Sequence, residues 1–218
     1  MIDVDKRFSE LEKRLLDIRG DLDKFSAELA EYGAQQETKV KLDYKRIKEY
    51  VDKKPLKGHL ITRQPKDIQK EYLGILALVA SLGKKDKEGC YIIVQSVMES
   101  CNFDESLEDV IVNSTDIHHR ELQDIINKFK RKNMADALVF DSLLMYYWCE
   151  LNNNRFRDYI YELMVILKID TKKLKQIVRL LRIVLQKDKR DLASFRRLQD
   201  HYIVTSVYNC WLTYYGLK

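Results

Sequence analysis

The sequence predicts an all-α protein, with a long N-terminal helix or helical hairpin followed by a multi-helix globular domain. Three observations carry that prediction. The 218 residues include only 7 Gly and 2 Pro, where average usage would give about 15 and 11. A heptad seam runs from Val4 to Tyr32. From Asp67 onward apolar residues recur at helical spacing, and no apolar–polar alternation bounded by turn residues competes with them. The chain is long enough to bury a real core as one domain, or as one domain with an appendage.

The seam comes first. Phe8, Leu15, Leu22 and Leu29 fall at a, and Val4, Leu11, Ile18, Phe25 and Tyr32 at d. Gly33 follows directly, where a helix end favours positive φ. The stretch predicts a helix of about 29 residues, or about 43 Å. It then turns into a shorter helix striped by Val40, Tyr44, Ile47 and Val51. A single helix with a stutter is the alternative. In a parallel dimer, Arg14 at g would face Arg19 at e of the partner, which favours an antiparallel pair or a hairpin. Packing of the seam on the rest of the domain is the plainer reading. Residues 1–51 are therefore assigned to a coiled-coil-like arm. Both prolines, Pro55 and Pro65, and Gly58 mark 52–66 as a linker. Residues 67–218 form the helical domain.

Within that domain the stripes predict helices at 67–82, 86–101, 105–113, 117–131, 134–150, 154–168, 171–187 and 191–213. Asp104, Asp170 and Ser114 or Thr115 are candidate N-caps. Val139–Trp148 has the composition of a buried strand, but its length and its Ala-rich approach favour helix.

An internal echo is visible at a spacing of 66. Val94, Val97, Met98, Cys101, Phe103 and Asp104 match Ile160, Leu163, Met164, Leu167, Ile169 and Asp170. After one inserted residue, Leu107, Val110 and Ile111 match Leu174, Ile177 and Val178. The echo reads either as two repeated helical units or as chance matching of amphipathic helices.

The unit of apolar helix, polar break, apolar helix and apolar–Asp cap, over roughly 67–187, resembles the TerB-like (tellurite-resistance) helical domain. That resemblance implies an all-helical bacterial protein of stress response or phage defence. In some members carboxylates at the end of the first helix bind a divalent metal. Here the corresponding breaks are Leu82-Gly83-Lys84-Lys85-Asp86-Lys87 and Glu150-Leu151-Asn152-Asn153-Asn154. Lysines and asparagines replace most of the oxygens a hard cation needs, so no metal role is carried over.

No catalytic constellation is found. The glycines never fall as GxGxxG or GxxxxGK[ST], and no GxSxG occurs. His118 and His119 are adjacent, about 100° apart on a helix, and cannot share one ion. His118 with Glu121 would supply two ligands at most. Cys90, Cys101, Cys149 and Cys210 form no CxxC and read as buried thiols of a reducing, cytoplasmic compartment. The N-terminus, Met1-Ile2-Asp3-Val4-Asp5, lacks the basic start of a signal peptide. The longest apolar run, Tyr72–Leu82, falls short of the roughly 20 residues a membrane span needs.

Charge is more informative. The formal net charge is +5. Residues 168–197 hold eleven basic residues and three acids, a net +8, which leaves −3 on everything else. Lys172, Lys175, Arg179 and Arg182 lie within about 80° of one another on a helix, with Leu174, Ile177, Val178, Leu181, Val184 and Leu185 on the far side. Lys168 precedes the stripe. Such a face is either simply solvated or a docking surface for an acidic partner. The C-terminus adds Tyr202, Tyr208, Trp211, Tyr214 and Tyr215, which suit a closing core helix or an interface.

These readings lead to an expected function. The chain is expected to be a non-enzymatic interaction or adaptor protein without a cofactor. It would self-associate or capture a protein partner through Phe8, Leu11, Leu15, Ile18, Leu22, Phe25, Leu29 and Tyr32. Its basic stripe would meet an acidic surface. Nucleic-acid binding on that stripe is one alternative, and a metal-binding TerB-like stress protein is another. Membrane binding is disfavoured, because the apolar face of the basic helix is needed for the core.

Overall fold

The computed structural model describes residues 42–83, 87–115, 117, 124–129, 134–149, 154–198 and 208–217. All regular structure among them is helical. Helix α1 spans Tyr44–Lys53, and a short 3-10 turn follows at Leu60–Arg63. Then come α2 (Lys66–Ser81), α3 (Lys87–Ser100) and α4 (Leu107–Thr115). A helical segment at 124–129 precedes α5 (Ala135–Cys149). The chain continues through α6 (Asn154–Ile166), α7 (Thr171–Gln186), α8 (Lys189–Leu198) and α9 (Asn209–Tyr214).

Three helices form the centre. Every residue from Tyr72 to Ala80 in α2, Gly89 to Met98 in α3 and Ala137 to Tyr146 in α5 is buried. A helix that is apolar around its whole circumference has no solvent face to offer and must be surrounded. Accordingly α2 packs on α3, α4 and α5, while α5 also carries α6 and α7. The strand-like segment Val139–Trp148 is thus a core helix. At Gly74 a Cβ would stand 3.1 Å from Ile117 Cδ1, so glycine is what lets Ile117 seat against α2. Amphipathic α1 covers α3, burying Ile47 and Val51, and α8 covers α7.

The arm, linker and domain assigned from sequence meet this packing as follows. Residues 44–51, placed in the arm, lie on the core. The 52–66 stretch buries Leu56, His59 and Ile61, so its prolines set turns in a packed segment. The seam residues Phe8 to Tyr32 lie outside the described residues, as does Gly33.

Four helix ends share one geometry. Asn102, Lys168, Lys187 and Gly216 all have φ between 48° and 73°. The next residue in each case donates its N–H five residues back, from Phe103 to Met98, Ile169 to Met164, Asp188 to Ile183 and Leu217 to Leu212, at 2.8–3.2 Å. This is the Schellman ending, which satisfies otherwise orphaned carbonyls. The first two members are 66 residues apart, as the sequence echo places them.

The beginnings differ. Asp170 caps α7, accepting the Lys173 N–H at 2.8 Å. Asp104 does not cap its helix. Ser106 does: its Oγ accepts the Asp109 N–H at 3.1 Å, and Asp109 Oδ2 accepts the Ser106 N–H in return, a reciprocal box that starts α4 two residues later. The start of the helix that Ser114 or Thr115 was expected to cap lies outside the described residues. The Ser114 and Thr115 hydroxyls donate to Ile111 and Val112 carbonyls in the last turn of α4. The single helix expected at 191–213 is interrupted at Tyr208, where α9 begins afresh.

Candidate functional site

Helix α7 is built to present charge. Its apolar stripe buries Ile177, Leu180, Leu181, Ile183 and Val184 against the core. The opposite face carries Lys172, Lys175 and Arg182, all exposed, with Arg179 half-buried beside them. Lys168 is exposed just before the helix. An open hollow of about 510 Å³ runs along this face, lined by Thr171, Lys172, Lys175, Gln176 and Arg179.

The cations on α7 have different duties. Lys173, off the stripe, reaches Asp136 Oδ2 at 2.7 Å and ties α7 to the start of α5. Arg179 pairs with Asp191 and stacks 5.6 Å over the Phe195 ring, which docks α8. The hydrogen bond from Arg179, with the charge of Arg182 adding to it, holds the Asp191 carboxyl below its ordinary range. Lys172 and Lys175 make no ion pair among the described residues. So four residues of the sequence stripe do share one face, but Arg179 is partly committed to holding the fold.

A second constellation is buried. Asp141 and His59 are each 1 % exposed. Asp141 Oδ2 accepts the Tyr72 hydroxyl at 2.6 Å and the His59 Nε2–H at 3.1 Å. Its Oδ1 accepts the Trp211 indole N–H at 2.8 Å. His59 Nδ1 in turn accepts the Ile61 N–H, which leaves the ring proton on Nε2. Burial, and then the Asp141 charge and hydrogen bond, push the Tyr72 phenol well above its ordinary value. Four segments distant in sequence meet on one carboxylate. Enclosed on all sides, this cluster is a structural joint. Sequence reading missed it, although one signal was present: Asp141 is a lone acid inside the apolar run Leu138–Tyr146.

The other sequence candidates are placed as follows. Tyr208, Trp211 and Tyr214 are buried and Tyr215 is half-buried, so the C-terminal aromatics mainly close the core. Cys90, Cys101 and Cys210 are buried thiols that form no disulfide among the described residues. Burial raises the Cys101 thiol to about 11 and the Cys210 thiol to about 12, which is the wrong direction for a nucleophile. His118, His119, Glu121 and Tyr202 lie outside the described residues. Among the described residues no group of three or more His, Cys, Asp or Glu is placed to hold a metal. No helix among them is long and apolar enough to cross a membrane. No family model matches the chain, and neither a curated protein nor a solved structure matches it.

Proposed function

We propose that this chain is a non-enzymatic interaction protein that captures an acidic protein partner on the outer face of α7. One observation carries the reading. The apolar face of α7 is consumed by the core, while Lys172 and Lys175 project from the opposite face without an ion pair among the described residues, and Arg182 stands exposed beside them with only its charge felt by Asp191. Concentrated charge of one sign steers partners of the other. The heptad segment, with its a and d residues from Phe8 to Tyr32, would supply self-association or a second grip on the partner. The TerB-like resemblance fits a helical adaptor of a stress or defence system.

A labelled glutamate-rich peptide titrated by anisotropy tests the reading. The full chain should bind it, with affinity falling as salt rises. The K172E/K175E/R182E variant should not bind. Equal binding by the variant would remove α7 from the account.

A further inference from the structure

A second charged surface lies where the C-terminal ends of four helices, α1, α5, α7 and α9, meet, away from the hollow on α7. Lys54 directly follows α1, Trp148 sits in the last turn of α5, and Lys187 caps α7. Lys54 Nζ stands 3.9 Å from the Tyr214 ring centroid and 5.1 Å from that of Tyr215. The Trp148 and Tyr215 rings are 6.4 Å apart, edge to face. Partial burial, with the charge of Lys187 adding to it, lowers the Lys54 ammonium from its ordinary value, so the two lysines feel each other. Trp148 is 37 % exposed, and Tyr50, one turn before Lys54, is 41 % exposed.

Part of an aromatic ring left open beside cations that make no ion pair among the described residues has a structural explanation to be weighed first. Helix C-termini attract lysines, each end carrying about half a negative charge. Four ends, α9 at Tyr214 included, therefore supply about −2. Against this stand Lys53, Lys54, Lys57, Lys187, Lys189 and Arg190, opposed in sequence by Asp52, Glu150 and Asp188. Asp188 is occupied, accepting the Arg190 and Asp191 N–H groups at the start of α8. The corner thus stays cationic after the dipoles are neutralised. Dipole matching also gives no reason to expose an indole.

We propose that this corner binds single-stranded nucleic acid. An unpaired base would stack on Trp148, and flanking phosphates would sit against Lys54 and Lys187. An acidic peptide would use the lysines and leave the ring idle. A duplex keeps its bases stacked on one another and offers the ring nothing. An unpaired strand uses both groups at once, as single-strand binders do. Helix α7 itself carries no aromatic residues. The fold supplies them from α5 and α9.

The test uses the full chain with labelled single strands of dT and rU about 12 nucleotides long. Its readouts are anisotropy and tryptophan fluorescence at about 50 mM salt. Because Trp211 is buried and bonded to Asp141, quenching reports Trp148. Quenched, salt-sensitive binding is expected. W148A should weaken it roughly 5- to 100-fold, W148F should keep most of it, and K54E/K187E should abolish it with circular dichroism unchanged. K172E/K175E should leave the quenching in place, which separates this corner from the α7 face. The proposal is overturned by no quenching, by equal affinity for a blunt duplex, or by unchanged binding in W148A. Preference for polyglutamate or for phosphatidylserine vesicles over the single strands would overturn it equally.

Discussion

Asp141 shows what a single residue contributes. A carboxylate 1 % exposed would be untenable alone, and here three donors from three other segments make it tolerable. Each such charge-assisted bond is worth about 1.5–3 kcal/mol, and removing the acceptor leaves the donors buried without partners. D141A is expected to lower the unfolding free energy by about 3–5 kcal/mol in urea titration. W211F, which removes one donor and keeps the ring volume, should cost about 1–3 kcal/mol. A D141A protein as stable as wild type would show that the cluster is not the joint between these segments.

At the level of elements, α7 divides its work by face, and the N-terminal seam is the element whose partner matters most. The structure locates where a truncation can be made. Ile47 and Val51 of α1 are fully buried, so a cut must fall before Asp43, the α1 cap. Removing 1–41 should leave a folded protein by circular dichroism. Light scattering should then drop from a multiple of the 26.0 kDa chain mass to a monomer. The same association number with and without the seam would exclude it as the self-association element. Element boundaries were readable from sequence where a local rule governed them. Asp170 capping α7 is one case, and the stripes of α2 and α7 are others. Asp104 failed because a competing box, Ser106 with Asp109, starts α4 later. The 191–213 helix failed because Tyr208 and Trp211 are held by tertiary partners, Phe140 and Asp141, that helical spacing cannot encode.

For the whole molecule, the all-helical fold followed from scarce glycine and proline and from helical periodicity, because those are properties of the local chain. The basic face of α7 followed from the same periodicity. The buried cluster and the aromatic corner did not, since each joins residues more than 60 positions apart, and only the packing brings them together. That packing also sets a pH limit. Burial raises the phenols of Tyr72, Tyr91, Tyr159 and Tyr208, takes Tyr214 to about 12 and Cys210 to about 12. In the unfolded chain these groups ionise near 10.0 and 9.0. Above pH 9 the unfolded state therefore holds fewer protons than the folded one, and stability falls as pH rises. Each group ionised only in the unfolded state adds about 1.4 kcal/mol of loss per pH unit. Denaturant midpoints should be flat from pH 7 to 8, begin to fall near pH 9 as the unfolded thiols ionise, and fall steeply toward pH 11. A midpoint unchanged at pH 11 would contradict the burial of these groups.

The claim that α7 folds with one face and binds with the other is tested most directly on one variant, K172E/K175E/R182E, measured twice. Its unfolding free energy should lie within about 1.5 kcal/mol of wild type, about 0.5 kcal/mol for each of three exposed side chains, while its binding of the glutamate-rich peptide is lost. Retained binding at wild-type affinity would contradict the account.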